Sequence, residues 1–444
     1  MQTVKILCMG TEGDGVGAAA NSGSSGASKF VYVPFTLPGE VAEADLQPGG
    51  FGLLRKLDKA SPERQQALCR YFEQCGGCVL QHWQDAPYHE WKRGLIADAF
   101  RKAGIELRAE QIAKLFSVKA GTRRRIILTA QISGGGVSLG FNRLRSHEII
   151  AIETCPVAQP ELTAALPFVR ALLARLKVRR EAFHVVLTAA ENGLDMALQD
   201  IKPVLAEDEK LRLAEFLTQR QRAAGLPAEI MRITSDNEII ISRAEPVIHF
   251  GEVIVGLPSG GFLQAAAAAE QYMAELAAEA LKKAKNILDL FSGCGSFAFR
   301  LAVNANVHAV EYDEEALSCL ERAAAKMGEK TGAEGIRLKK IAAERRDLFR
   351  RPLTARELAP YDGLVFDPPR AGAEAQVKEI AKSAVKNIAA VSCNPVTLAR
   401  DAAILLAGGY ELKKITPIDQ FLWSPHIEAV AHFTKRPAKK GWKL

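Results

Sequence analysis

The sequence predicts an α/β protein with a helix-covered parallel sheet at its C-terminal end, on three observations. From residue 262 onward, short apolar runs alternate with helical stretches, the pattern of strands joined by crossover helices. Between about residue 115 and residue 260 the chain is strand-rich, with one polar helix interrupting the hairpins. Residues 1–60 read as short β segments broken by turns. The 444 residues exceed the length at which a single core stops growing. Three domains are therefore expected: a small β-barrel at 1–60, a strand-rich α+β unit at 61–260 and the parallel-sheet domain at 261–444.

Composition bounds the function classes. Apolar residues make up 48% and charged residues 25%, the mix of a packed globular chain rather than a disordered one. No apolar run approaches the roughly 20 residues of a membrane span. The N-terminal "MQTVKILCMG" is too short in its apolar run for a secretory signal, so a cytoplasmic protein with no membrane partner is expected. A net charge of +7 is a mild excess, compatible with a nucleic-acid partner. Eight cysteines in a chain of this length do not make a disulfide scaffold, so their positions matter more than their number.

In chain order, "VKILCMG" and "FVYVPFTLPGEVAEADL" supply the barrel strands. The Gly/Ser/Ala stretch from Gly15 to Ser28 between them reads as a flexible loop within the barrel. The cysteine segment "CRYFEQCGGCVLQHW" leads into "YHEWKRGLIADAFRKAGI", which has helical spacing. "RRRIILTAQI" and "EIMRITSDNEIIISR" are strands and hairpins, and "ENG" marks a hairpin turn. "AEDEKLRLAEFLTQRQRAAG" is the polar helix. In the last domain "NILDLF", "VHAVEY", "IRLKKI", "DGLVFD" and "IAAVSC" are strands. Helices such as "EEALSCLERAAAKM" and "VTLARDAAILLAG" separate them.

Ligands of such a sheet belong at the carboxyl ends of its strands, and the informative residues fall there. Asp289 precedes a turn built on Gly293 and Gly295, which lets backbone approach a ligand. Glu311 ends the next strand, where an acid suits ribose hydroxyls. "GCGSFA" lacks the third glycine of the dinucleotide fingerprint, which argues against a nicotinamide cofactor. "DPPR" after "LVF" makes a rigid strand exit that holds Asp367 toward a substrate. Cys393 ends the following strand and shares this edge, although a free Cys is also a common core residue. Glu428, two residues after His426, stands where a carboxylate could take a proton from a substrate held against Cys393.

Two further groups stand outside this edge. Cys69, Cys75 and Cys78 have C-x5-C-x2-C spacing with Gly76 and Gly77 allowing a tight wrap. Cys155 is the candidate fourth thiol, and four thiolates suit either zinc or an iron–sulfur cluster. Arg123, Arg124 and Arg125 open a strand that reads equally as a phosphate-contacting row or a solvated edge that discourages aggregation.

Together "LDLFSGCGSF", "DPPRAG", "SCNP" and "DQFLWSPHIEAV" resemble the S-adenosylmethionine-dependent RNA uracil-5 methyltransferases. The resemblance extends to "FLQ" (Phe262 to Gln264), to the cysteine segment, and to "VYVPFTLPGE", which is similar to the family's OB-like TRAM barrel. It implies a C-terminal Rossmann-like class I methyltransferase domain, a central α+β domain bearing a [4Fe-4S] cluster, and an N-terminal TRAM barrel. Uracil C5 is a poor nucleophile until a thiolate adds at C6, and the C5 proton must then be removed before the thiolate leaves. The resemblance assigns Cys393 as nucleophile and Glu428 as base. It assigns Gln264, Phe291, Ser296, Glu311 and Asp367 as contacts to S-adenosylmethionine, and Cys69, Cys75, Cys78 and Cys155 as cluster ligands. Glu344 is expected on the adenine side. Ser296 and Ala266 stand where relatives carry Asn. The expected reaction is methylation of a uridine in RNA, 23S ribosomal RNA before transfer RNA, by a monomer. The alternatives are a transfer-RNA enzyme and a catalytically silent iron–sulfur RNA-binding protein.

Overall fold

A computed structural model describes residues 1–19, 30–134, 136–176, 180–329 and 337–436. The N-terminal strands β1 (Gln2–Met9), β2 (Gly15–Ala19), β3 (Phe30–Val33), β4 (Val41–Gln47) and β5 (Phe51–Lys59) close into a barrel in the order β1-β2-β3-β5-β4. Inward-facing Val4, Ile6, Val31, Val33 and Ala44 fill it, as strand alternation requires. The expected loop from Gly15 is corrected here. Gly15–Ala19 is a barrel strand between β1 and β3, while residues 20–29 lie outside the described residues. Its glycines are there for space: a Cβ on Gly15 would run into Thr36 Oγ1, and one on Gly17 into the Lys5 carbonyl.

After the cysteine segment come α1 (Asp85–Lys102) and the short β6 (Phe116–Ser117). Both join the C-terminal part of the molecule. The apolar stripe of α1, including Ile96 and Phe100, packs into the core under the C-terminal sheet, and β6 pairs in parallel with that sheet's edge. The central unit holds β7 (Arg125–Ser133), β8 (Gly136–Asn142), β9 (Ile149–Ala151), α2 (Pro160–Ala164), α3 (Leu166–Leu173), β10 (Arg180–Ala190), β11 (Gly193–Gln199), α4 (Glu207–Arg220), β12 (Ile230–Ser235) and β13 (Glu238–Ser242). Its sheet runs β13-β12-β11-β10-β7-β8-β9, with helices covering a core of Leu, Ile and Val. Asp236 and Asn237, both at positive φ, make the β12–β13 turn. A hairpin, β14 (Val247–Phe250) and β15 (Val253–Gly256), leads out of it.

The C-terminal unit is α5 (Ala267–Leu281), β16 (Asn286–Leu290), α6 (Ala298–Leu301), β17 (Asn306–Glu311), α7 (Glu314–Glu329), β18 (Ile341–Arg345), β19 (Gly363–Phe366), α8 (Glu374–Lys382), β20 (Asn387–Ser392), α9 (Pro395–Ala407), β21 (Tyr410–Asp419) and β22 (Glu428–Lys435). The sheet order is β18-β17-β16-β19-β20-β22-β21-β6. The strand expected at "IRLKKI" lies later in the chain, at Ile341–Arg345, where Ile341 pairs with Val307. Strands β18 to β20 are mutually parallel, whereas β22 enters antiparallel to β20. That one reversal determines the site. Among the described residues no helix is long and apolar enough to cross a membrane.

Candidate active site

Strand β20 delivers its last residue opposite the beginning of β22: Ser392 pairs with Ala429. One step further along each strand, Cys393 therefore faces Glu428. The sequence around the thiol has a local reason. Asn394 is the N-cap of α9, its side chain accepting from the Val396 N–H at 3.0 Å, and Pro395 fills the first helical position, where no N–H is needed. The Asn394 amide also donates to the Arg370 carbonyl at 3.1 Å, tying the thiol's turn to the DPPR loop. A helix N-terminus favours a thiolate, yet here burial and the carboxylates of Glu428 and Asp367 prevail, pushing the Cys393 thiol up to about 11. Arg370 is the cation that opposes this.

Behind the thiol runs a chain of amides and acids. Gln264 Nε2 donates to Asp367 Oδ2 at 2.7 Å, and Gln420 Nε2 donates to Gln264 Oε1 at 2.7 Å and to Glu428 Oε1 at 3.1 Å. Glu428 is buried and its Oε2 has no hydrogen-bond partner. Burial, then the Asp367 charge, raises its carboxyl above the ordinary range, while Gln420 and Arg370 pull the other way. Asp367 is raised by burial as well, with Gln264 opposing. It keeps part of its surface open although it sits deep in the protein. Asp289, fully buried on β16, is raised well above the ordinary carboxylate range by burial and then by Asp367, with the Ala298 N–H opposing.

The remaining expected cofactor residues fall along the same edge. Phe291 adopts positive φ at the turn after β16, with its ring 5.5 Å from that of Phe349. Glu311 accepts from the N–H groups of Gly293 (2.8 Å), Tyr312 (2.6 Å) and Asp313 (2.8 Å), which shapes the glycine turn. Ser296 begins the turn into α6, its carbonyl accepting from Arg300. Glu344 is taken up by His308 (3.3 Å) and Arg346 (3.2 Å). Neither reading of the arginine run holds for Arg124: it is buried, donates to the Gln264 carbonyl and pairs with Glu270 at 2.5 Å, so it fixes the strap that carries Gln264. Arg123 lies over the Phe421 ring, and Arg125 donates to the Gly260 carbonyl.

Sequence reading missed four contributors. Gln420 links Gln264 to Glu428. Tyr88 and Lys92 on α1 hold Asp419 at 2.6 and 2.9 Å, and Lys92 also donates to the carbonyls of Phe421 and His426. Arg370 contacts His426 Nδ1 at 3.2 Å. The signal available was proximity to quoted motifs. Gln and Arg have no spacing rule that marks them.

Cys69, Cys75, Cys78 and Cys155 line one cavity of about 700 Å³, together with Arg123, Phe421 and His426. All are free thiols within electrostatic reach of one another. Among the described residues no group of three or more His, Cys, Asp or Glu side chains is arranged to hold a metal ion. A single zinc ion would need thiolates converging to about 2.3 Å from one point. The four thiols share this lining with apolar, aromatic and basic side chains. The Leu80 and Val79 N–H groups bond the Trp423 carbonyl, so the cavity wall continues into the segment between Gln420 and Glu428.

A sequence profile described as "tRNA (Uracil-5-)-methyltransferase" matches residues 139–436. Similar proteins include an uncharacterized RNA methyltransferase of Mesorhizobium japonicum, 47% identical over 439 residues and 99% of each chain. Another, from Brucella suis biovar 1, is 46% identical over 433 residues and 97% of each chain. The 23S rRNA (uracil(1939)-C(5))-methyltransferase RlmD of Pectobacterium atrosepticum is 30% identical over 97% of this chain and 93% of its own. The Pyrococcus abyssi tRNA (uracil-54, C5)-methyltransferase, solved with S-adenosyl-L-homocysteine, superposes with a TM-score of 0.70 over 98% of this chain and 99% of its own, at 22% identity. At that identity the likeness is one of fold.

Proposed function

The chain belongs to the tRNA (uracil-5-)-methyltransferase family and is an RNA methyltransferase, and we propose that it methylates C5 of a uridine in 23S ribosomal RNA through a covalent adduct on Cys393. The observation that carries this is the Ser392–Ala429 pair, which ends β20 beside the start of β22 and brings Cys393 within electrostatic reach of Glu428. In this reading Cys393 loses its proton as its sulfur bonds to C6, leaving an enolate whose C5 attacks the methyl group of S-adenosylmethionine. Glu428 then takes the C5 proton, the C–S bond breaks, and the thiol regains a proton. Gln420 and Gln264 orient the two acids, and Arg370 favours the thiolate that attacks. The donor lies along Asp367, Glu311, Phe291 and Ser296. The target base must leave its stack to reach this edge.

Cys69, Cys75, Cys78 and Cys155 would hold a [4Fe-4S] cluster, supported by the one cavity that all four line and by the resemblance of the segment. Methyl transfer needs no electron from it, so its role is to clip the cysteine segment to the catalytic segment. Ribosomal rather than transfer RNA rests on the RlmD relative, in a monomeric cytoplasmic protein.

The test incubates anaerobically purified protein with radiolabelled methyl donor and separate pools of unmodified ribosomal and transfer RNA, then digests to nucleosides. Label in 5-methyluridine from the ribosomal pool is expected. Label from the transfer-RNA pool alone would reassign the substrate. No label in either, with the cluster present, would return the silent RNA-binding alternative.

A further inference from the structure

The connection from β21 to β22, residues 420–427, carries Gln420 at one end and runs into Glu428 at the other. Much of what holds its backbone comes from the cysteine segment and α1. The Val79 and Leu80 N–H groups donate to the Trp423 carbonyl at 2.8 and 3.0 Å, and the Trp423 N–H donates to the Tyr88 hydroxyl at 2.8 Å. Lys92 reaches furthest. Its ammonium, fully buried, donates to Asp419 Oδ1 at 2.9 Å, to the Phe421 carbonyl at 3.4 Å and to the His426 carbonyl. An ammonium has three N–H donors, and here each has an acceptor. Those acceptors lie at both ends of the connection, so one side chain spans it from inside. The Ser424 hydroxyl, which donates to the Phe421 carbonyl at 2.8 Å and accepts from the His426 N–H at 3.3 Å, braces only the turn itself.

Asp419 does not require all of this. The Tyr88 hydroxyl at 2.6 Å and the Phe421 N–H at 3.2 Å already serve its two oxygens. What Lys92 adds is reach. Gln420 directly precedes Phe421, and His426 stands two residues before Glu428. Drawing both carbonyls toward Nζ brings the two ends of the connection together, where Gln420 Nε2 donates to Glu428 Oε1 at 3.1 Å. The same hold fixes the backbone under the His426 ring, whose Nδ1 meets Arg370 at 3.2 Å. Arg370 is the cation within electrostatic reach of both Cys393 and Glu428.

We infer that Lys92 is a positioning residue for the proton-removal step, and that its bonds to the Phe421 and His426 carbonyls, rather than its ion pair with Asp419, place Glu428 against the methylated C5 of the substrate. The inference rests on the reading of Glu428 as the base and deepens it. Lys92 is fully buried and acts only through the backbone next to that acid. A general base works over the length of one hydrogen bond, and a displacement of about 1 Å can cost about 10²-fold in rate. The donor residues Asp367, Glu311, Phe291 and Ser296 follow other strands, and Lys92 makes no hydrogen bond to them among the described residues. Donor binding is therefore independent of this hold.

Two variants separate the ion pair from the carbonyl bonds. Asp419→Asn removes the charge partner and leaves an amide oxygen as an acceptor in the same place. Lys92, buried and no longer paired, then sheds its proton, and its two remaining N–H groups match the two carbonyls. Lys92→Met/Asp419→Asn removes the carbonyl bonds as well and leaves no buried charge behind. The two proteins differ in those bonds alone, and if the ion pair did the positioning they would behave alike.

The test is a single-turnover experiment on the full chain, with labelled S-adenosylmethionine and the RNA pool that accepts label, following the rate constant at which methylated RNA leaves the protein. Titration calorimetry with S-adenosylmethionine follows donor affinity. Asp419→Asn should release RNA at a rate close to that of the wild type. Lys92→Met/Asp419→Asn should release it up to about 10²-fold more slowly, with methylated adduct accumulating and donor affinity unchanged. A merely structural role would lower the amplitude, through the fraction of folded molecules, and leave the rate constant alone. That result, a matching loss of donor affinity, or two variants slowed equally would overturn the inference. If the Met variant does not fold, Lys92→Gln/Asp419→Asn decides in its place. Its donors sit on a side chain one bond shorter, so slower release is expected again and a wild-type rate constant would overturn the inference. Glu428→Gln releasing RNA at the wild-type rate, or a wild-type protein that forms no adduct, would instead remove the reading of Glu428 as base, and the inference with it.

Discussion

Asp419 and Glu428 stand at the two ends of one short segment, both buried in the same sheet, and their surroundings are opposite. Asp419 accepts from the Tyr88 hydroxyl, the Lys92 ammonium and the Phe421 N–H. Glu428 has a single amide donor and an open oxygen. The first acid is fully satisfied and fastens the segment to α1. The second is left under-satisfied, which keeps its proton affinity high and its oxygen available. An acid that holds structure and the acid we propose moves a proton thus differ by partners, and residue type or burial alone does not separate them.

The largest effect that would break this contrast is on turnover. Glu428→Gln should lower methylation by about 10²–10⁴-fold, the range of a lost general base, and should leave methylated RNA attached to the protein on denaturing gels. Full turnover without accumulation would move the base elsewhere. Lys92→Met acts on the other acid. It leaves the Asp419 charge uncompensated and should cost about 3–5 kcal/mol of stability, read from denaturant unfolding, and Asp419→Asn in the same chain should recover part of it. A loss no greater than that of a surface substitution would show that Asp419 does not anchor the segment.

The strand-end placement of the candidate site was legible because that position has residue-level signatures: Asp367 before two prolines, Cys393 before Asn-Pro, glycines after Asp289. What could not be read was the antiparallel entry of β22. Only the paired register, with Ser392 opposite Ala429, brings Cys393 and Glu428, 35 positions apart in sequence, to the same end of the two strands. Nothing local to Lys92 announces a partner 327 positions away. In the barrel the glycines of β2 read as flexibility, whereas they answer to the Thr36 hydroxyl and the Lys5 carbonyl in three dimensions.

Two smaller effects sharpen the contrast. Gln420→Leu removes the hydrogen bond that opposes the upward shift of Glu428, so the rise of kcat with pH should move to higher pH. An unmoved profile would exclude Gln420 from tuning the base. Stability responds in the opposite sense. A carboxyl raised on folding favours the folded state at low pH, and that contribution is lost as pH rises through the folded value. Between about pH 5 and about pH 8, Glu428→Gln should therefore lose less Tm than the wild type. A parallel decline in both proteins would mean that Glu428 is ionised without cost.

The central claim is that Cys393 attacks and Glu428 completes the exchange. It is tested most directly with substrate RNA carrying 5-fluorouridine at the methylated position, where fluorine cannot leave as a proton. Mass spectrometry of the protein digested after incubation with methyl donor should find the nucleotide, methylated, on the peptide containing Cys393, and Cys393→Ala should carry none. An adduct on a different cysteine, or one that survives Cys393→Ala, would contradict the account.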